Sequence, residues 1–170
     1  MATDRNVPEL DTLYRDVILE HFRNPRGRKS VPSPTCRNEG FNPVCGDQVR
    51  LALKIEDGKV AGVEVDGRGC AISVASGSMM AEMLAGKTEA EAGRLIDIFK
   101  GMMHDQGIPA GVDIGDLDSL EGVRKFPVRI KCALLAWTTL EDALKALKAG
   151  RPGPDGKSTT EGGARSQVYV

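Results

Sequence analysis

Three cysteines and one aspartate in this chain could together hold a metal ion. Cys45 and Asp47 stand two positions apart in the stretch NPVCGDQ, and the other two cysteines are far away in sequence. Zinc binds thiolate sulfur and carboxylate oxygen, and it takes four such ligands in a tetrahedron. The candidate ligands are Cys45, Asp47, Cys70 and Cys132. Gly46 allows the turn to bend so that the side chains on both sides of it point inward.

The predicted surroundings of these cysteines favour the thiolate form. Cys70 and Cys132 are expected in the first turns of helices, where free amide groups and the helix dipole lower a thiol pKa. Arg68 precedes Cys70 by two residues, and Arg129 and Lys131 precede Cys132 by three residues and one. Three thiolates and one carboxylate around Zn²⁺ leave a formal charge of about −2, which these three cations offset.

The residues alone leave a simpler interpretation open, in which the cysteines are small buried hydrophobic groups. The chain has no CxxC pair, so the fold itself must assemble any metal site. Cys36 is interpreted as an incidental thiol in a loop and not as a ligand. His21 is interpreted as a packed or surface histidine, and His104 as a residue that interacts with the dipole at a helix end.

The composition of the 170-residue chain favours one domain with a small aliphatic core, because 41% of the residues are hydrophobic but only 4% are aromatic. The net charge of −1 gives no basic field for nucleic acid. No apolar run reaches the roughly 18 residues that a membrane span needs. The segment MATDRNVPELDTLY lacks the apolar centre of a signal peptide, so we expect a cytoplasmic protein whose cysteines are thiols or ligands.

Hydrophobic periodicity predicts an α+β fold, with a small antiparallel sheet packed by helices. Thr88 and Glu91 have the spacing of a capping box, and Asp57-Gly58 predicts a type I′ turn between two strands. The predicted helices cover 8–23, 70–86, a segment after Thr88 and 127–148; the strands cover 49–55 and 59–66. Residues 24–44 are predicted as a loop, and 104–122 as a loop with a short helical turn. The domain is predicted at 1–148, with a disordered tail at 149–170.

Four segments carry a resemblance to a known family. They are LDTLYRDVILEHFRNPR, NPVCGD, GRGCAISVAS with the SMM that follows, and FPVRIKCALLAW, in this order over most of 10–140. The chain resembles the SufU branch of the SufU/IscU iron–sulfur cluster assembly proteins. Lys131, where the scaffold branch carries histidine, and the long segment between Cys70 and Cys132 favour that branch. The resemblance implies a three-stranded antiparallel sheet packed by helices, as in SufE, NifU and IscU.

The resemblance also implies a function. It implies zinc held by the four candidate ligands, and Cys45 as the residue that accepts persulfide sulfur from a SufS-type cysteine desulfurase. The sulfur would pass on to downstream iron–sulfur scaffold proteins, so the expected activity is that of a sulfurtransferase.

Three other functions are considered beside this one. The same ligands could bind iron in a scaffold that assembles a [2Fe–2S] cluster, although Lys131 occupies the position of the usual nitrogen ligand. A purely structural zinc module that binds proteins is a second alternative. A zinc hydrolase or deaminase is disfavoured, because the sequence has no H-x-E or H-E-x-x-H pattern to supply a general base.

Overall fold

The computed structural model describes residues 6–150 and 156–159, and it has the predicted α+β architecture. In chain order the elements are α1 (Asn6–Arg23), β1 (Cys36–Asn42), β2 (Asp47–Glu56), β3 (Lys59–Arg68), α2 (Ala71–Leu84), α3 (Glu89–Met103), a 3₁₀ segment (Gly115–Lys125), α4 (Pro127–Lys148) and β4 (Gly156–Thr159). Helices α2 and α4 cover one face of a sheet whose strands lie in the order β3-β2-β1-β4.

The hairpin of β2 and β3 is present as predicted, and β3 forms one edge of the sheet. Asp57 and Gly58 have φ values of +53° and +74°, which are the left-handed conformations that a type I′ turn requires. The two strands pair antiparallel from Glu56 and Lys59 at the turn to Gln48 at the far end. The hairpin therefore brings the start of β2 next to the end of β3, and three of the candidate ligands, Cys45, Asp47 and Cys70, lie at these two strand ends.

Strand β1 corrects the prediction of a loop at 24–44. It pairs antiparallel with β2 and completes the three-stranded antiparallel sheet. The residues that β1 turns toward the core are Cys36, Asn38, Gly40 and Asn42. None of these is a long aliphatic or β-branched residue, so the alternation of polar and apolar positions that identifies a strand is missing. Cys36 is accordingly a core residue and not a loop thiol.

The core lies between the sheet and the helices, with α2 at its centre. Ser76 of α2 donates a 2.6 Å hydrogen bond to the carbonyl of Ala133 and accepts one of 3.0 Å from the Trp137 indole. Trp137 stacks on Phe99 with 4.7 Å between the ring centroids. These contacts fix α4 against α2 and α3. The predicted capping box of Thr88 at the start of α3 is confirmed.

His21 joins α1 to the rest of the core and is packed, as predicted. Its side chain is fully buried, with Nδ1 2.7 Å from the Ser78 hydroxyl and Nε2 2.8 Å from the Asp116 carboxylate. Glu82 lies close enough to His21 and Asp116 for the three to hold a metal ion. Both imidazole nitrogens already have partners and Glu82 pairs with Arg26, so we interpret this group as a structural clamp.

The end of the chain differs in part from the predicted disordered tail. Helix α4 ends at Lys148, but Gly156–Thr159 form β4, which pairs parallel with β1 from Asn38 to Phe41. Residues 1–5, 151–155 and 160–170 lie outside the described residues, and the domain boundary at 148 stays a prediction. Within the described part of the chain, none of the helices combines the length and apolarity needed to cross a bilayer.

Candidate metal centre

Cys45 lies in a short turn that joins the ends of the two middle strands of the sheet, β1 and β2. Strand β1 ends at Asn42, β2 begins at Asp47, and these two residues are paired. The Gly46 amide donates a 2.8 Å hydrogen bond to the Asn42 carbonyl, which closes the turn. Gly46 has a φ of +73°, and a Cβ there would meet no atom within 4 Å. Cys45 is therefore half-buried in a turn that has open space beside it.

Asp47 is fully buried, and its carboxylate is held by the start of α2. Its Oδ1 accepts a 2.9 Å hydrogen bond from the Cys70 backbone amide, and its Oδ2 lies 3.7 Å from the Cys70 sulfur. Gly69 makes room for this carboxylate. It has a φ of +136°, and a Cβ at this position would collide with the Asp47 side chain, at 2.8 Å from Cγ.

Cys70 is the N-cap residue of α2, as expected from its position after Gly-Arg-Gly. Its sulfur accepts a hydrogen bond from the Ser73 amide, with 3.5 Å between the two atoms. This bond satisfies one of the free amides at the helix start. The cap and the contact with Asp47 together anchor Cys70 to both α2 and β2.

Cys132 lies in the second turn of α4, and it is fully buried. Its sulfur is 3.3 Å from the Cys45 sulfur, although the two residues are 87 positions apart. It also lies 3.6 Å from Nδ2 of Asn42 and 3.8 Å from the carbonyl of Val128, one turn earlier. Helix α4 therefore carries Cys132 to the turn between β1 and β2.

Three of the four candidate ligands lie close enough together to hold one metal ion. The ligand atoms of Cys45, Asp47 and Cys132 all lie within 4.8 Å of one another. Cys70 is outside that group of three, and it reaches the site through Asp47. With Zn–S bonds of about 2.3 Å, the sulfur atoms of a tetrahedron lie about 3.8 Å apart. The 3.3 Å between the sulfur atoms of Cys45 and Cys132 is close to that value, and the Cys70 sulfur lies 3.7 Å from the Asp47 carboxylate. Their role as ligands stays a prediction.

The electrostatics of the site agree only in part with the sequence-based expectation. The pKa of Arg129 is raised, first by the charge of Cys70 and then by a hydrogen bond to Cys132, so this cation lies against the sulfur atoms. Arg68 acts instead on Asp66, where its positive charge helps to lower the pKa of that carboxyl against the effect of burial. The expected lowering of the thiol pKa is wrong for Cys132. Burial raises its pKa, and hydrogen bonds with Asp47 and Cys45 raise it further.

Sequence reasoning missed several residues that shape this centre. Asn42 is fully buried beside Cys132, and only its position before Pro-Val-Cys-Gly-Asp could have indicated a structured turn. Three exposed apolar side chains surround the site: Val44 at 55% exposure, Phe126 at 61% and Val128 at 54%. Their exposure depends on the packing of α4 against the sheet, so no local sequence pattern reveals it.

Comparison with known proteins places this chain in a family. The model of the NifU-like N terminal domain matches residues 13–151. The zinc-dependent sulfurtransferase SufU of Bacillus subtilis is 42% identical over 141 residues, which cover 83% of this chain and 95% of that protein. The iron–sulfur cluster assembly scaffold protein IscU of Streptococcus pyogenes is 39% identical over 137 residues, which cover 81% and 86%.

Among solved structures, one similar to this chain is a putative iron–sulfur cluster assembly scaffold protein for the SUF system from Fervidobacterium islandicum. It superimposes with a TM-score of 0.71 at 34% identity, over 75% of this chain and 93% of that one. Sequence and structure agree on the relationship. This chain belongs to the SufU/IscU family of NifU-like N terminal domain proteins.

Proposed function

We propose that this protein is a zinc-dependent sulfur acceptor that works with a SufS-type cysteine desulfurase in iron–sulfur cluster assembly. The observation that carries the proposal is the position of Cys45. Its sulfur lies 3.3 Å from that of Cys132 in a buried site, yet Cys45 itself is in a half-buried turn with open space beside Gly46. Such a thiol can be held in the site and can also reach an incoming group.

The residues that would hold zinc are Cys45, Asp47, Cys70 and Cys132. When bound, zinc would keep these sulfur atoms deprotonated at neutral pH. Burial raises the pKa of Cys132, so this thiol stays protonated unless a cation is bound beside it. Asp47 is fully buried and acidic, so a cation would also offset the cost of burying its charge.

The proposed reaction on this chain moves one sulfur atom to Cys45. The Cys45 thiolate attacks the outer sulfur of a cysteine persulfide on the desulfurase, and a new S–S bond forms at Cys45. The S–S bond of the donor breaks, and its inner sulfur leaves as a thiolate with the electron pair. The moved sulfur keeps its proton, and no external oxidant or reductant is needed. The sulfur then passes to a downstream iron–sulfur scaffold protein.

The surface around Cys45 supports docking of a protein donor. Val44, Phe126 and Val128 are exposed apolar side chains around the site, and Arg129 adds a positive charge next to the sulfur atoms. Apolar side chains beside a charged residue are typical of a binding surface that excludes water. We also propose that the two proteins meet in the cytoplasm, where cysteine thiols stay reduced.

Assembly of a [2Fe–2S] cluster on the same residues is the second candidate function. It is favoured by the similarity to the scaffold protein IscU of Streptococcus pyogenes. Anaerobic reconstitution with iron and sulfide distinguishes the two functions. A stable chromophore that can be transferred to an apo-ferredoxin supports the scaffold function.

Labelled sulfur transfer tests the proposed function directly. The purified protein is analysed for metal and incubated with a SufS-type desulfurase and ³⁵S-cysteine, and the label is then located by mass spectrometry. We expect about one zinc per chain and label on Cys45. The Cys45→Ser variant should lose the label, whereas Cys36→Ser should keep it because Cys36 lies in the core and not in the site.

Two results contradict the proposal. One is full desulfurase activation and persulfide formation by the Cys45→Ser variant. The other is a wild-type protein that holds zinc and unfolds on its removal but takes no label, which indicates a purely structural zinc module.

A further inference from the structure

Asn42 connects the turn that carries Cys45 to the helix that carries Cys132. Its side chain is fully buried. Its Oδ1 accepts a 3.2 Å hydrogen bond from the Val44 amide, and its backbone carbonyl accepts one of 2.8 Å from Gly46. On its other side, Nδ2 donates to the Cys132 sulfur at 3.6 Å. A single residue therefore shapes the turn on one side and contacts a candidate ligand on the other.

The three thiols of the site differ in the N–H groups that reach them. Cys132 receives the side-chain amide of Asn42 and a hydrogen bond from Arg129, and Cys70 receives the backbone amide of Ser73. Among the described residues, the hydrogen-bond contact of the Cys45 sulfur is with the Cys132 sulfur, and no N–H group donates to it. Hydrogen bonds to a sulfur ligand withdraw electron density from it and fix its orientation. Because Cys45 receives no such hydrogen bond from an N–H group of the described residues, we expect its sulfur to be the most nucleophilic of the three.

The packing around Cys45 and Cys132 also favours Cys45 as the cysteine that reacts. Cys132 is fully buried, and its sulfur also lies 3.8 Å from the Val128 carbonyl of its own helix. Cys45 is in a turn of four residues whose Gly46 meets no neighbouring atom. Movement of Cys45 thus disturbs only the turn, whereas movement of Cys132 would break the bond from Asn42 and distort the packing of α4.

We propose that Asn42 is a positioning residue that selects which cysteine reacts. Its amide holds Cys132 as a fixed anchor and directs electrophiles to Cys45. The use of this selection in sulfur transfer rests on the proposed function, but the selection itself is a property of the thiols and can be measured without a desulfurase.

The experiment measures which cysteine reacts. Zinc-loaded and metal-free protein is treated with limiting iodoacetamide, from which the attacking sulfur displaces iodide, and the labelled peptides are quantified by mass spectrometry. We expect Cys45 to carry at least about tenfold more label than Cys132 in the wild type. In Asn42→Ala the ratio of Cys45 to Cys132 label should fall about tenfold or more, which is the usual effect of losing an outer hydrogen bond to a ligand.

Two further variants separate selection from stability. Asn38→Ala removes another buried amide of β1, which donates a 2.8 Å hydrogen bond to the Thr139 carbonyl of α4, seven residues beyond Cys132. It should destabilise the protein but keep the labelling ratio. Asn42→Asp keeps the acceptor for the Val44 amide but removes the donor to Cys132. It should change the ratio as Asn42→Ala does, even if the alanine variant fails to fold.

Cobalt substitution gives an independent reading, because the thiolate-to-cobalt absorption band reports the sulfur environment. We expect that band to shift in Asn42→Asp and to stay in place in Asn38→Ala. An unchanged labelling ratio in Asn42→Asp, or an equal change in Asn38→Ala, would overturn the inference. A normal ratio in the wild type without any sulfur transfer would instead contradict the proposed function and leave the selection by Asn42 intact.

Discussion

Among glycine-to-alanine substitutions near the candidate metal centre, Gly69→Ala should have the largest effect on the site. Gly69 lies between the end of β3 and Cys70, with a φ of +136°. A Cβ at this position would lie 2.8 Å from Cγ and 2.9 Å from Cα of Asp47, and closer still to the carboxylate oxygen Oδ1. That oxygen accepts the hydrogen bond from the Cys70 amide, so the collision falls on a bond that joins β2 to α2.

The expected loss of stability has two parts. A side chain at such a φ costs about 1–3 kcal/mol of backbone strain. Displacement of the Asp47 carboxylate breaks a buried hydrogen bond to a charged acceptor, which costs about 1.5–3 kcal/mol more. The free energy of unfolding should therefore fall by about 2.5–6 kcal/mol in the Gly69→Ala variant. The zinc affinity should fall by about tenfold or more, because Asp47 leaves its position.

Gly46→Ala provides the matched control. Gly46 also has a positive φ, +73°, but a Cβ there would meet nothing within 4 Å. Its cost should be limited to the conformational penalty of about 1–2 kcal/mol. Urea unfolding of both metal-free variants in the presence of a chelator measures the difference. If the two variants lose stability equally, to within about 0.5 kcal/mol, the close packing of Gly69 on Asp47 is refuted.

Two other predictions concern buried groups outside the metal centre. Burial, together with the charge of Glu89, raises the pKa of Cys36 to about 11. At pH 8 about 0.1% of this thiol is therefore ionised, and iodoacetamide should label it only after unfolding. Rapid labelling of Cys36 in the native protein would show that this residue is not in the core. His21→Ala should lower the free energy of unfolding by about 3 kcal/mol, because it leaves a cavity and removes the partner of the Ser78 hydroxyl. His104→Ala, at an exposed helix end, should change it by less than about 1 kcal/mol in the same denaturant titration, and equal losses would argue against the buried clamp.

Much of the fold could be predicted from local patterns. The turn at Asp57-Gly58 and the capping box at Thr88 depend on neighbouring residues alone, and both are present as predicted. Strand β1 could not be predicted in this way. Its inward side chains are small or polar because α4 packs directly on it, and a Cβ at Gly40 would collide with Thr139. The pattern of this strand therefore reflects a distant helix and not the preference of the strand itself.

The candidate site could be predicted as a set of residues but not as an arrangement. Cys45 and Asp47 are recognisable from their spacing, and Cys70 from its place before a helix. The raised pKa of Cys132 was not predictable, since burial outweighs the helix dipole only once α4 lies against the sheet. The role of Asn42 was also missed, because an asparagine before a proline is an ordinary turn residue until a sulfur atom is placed beside it.

The contact between Cys45 and Cys132 spans 87 positions of the chain. An ion held by both residues would close a ring of that size, and a cross-link of this length removes about 4.6 kcal/mol of chain entropy from the unfolded state. That is a large share of the roughly 5–15 kcal/mol that stabilises a typical domain. The lifetime of newly made chains before degradation would then depend on how quickly they acquire metal, which ties the abundance of this protein to the supply of that ion.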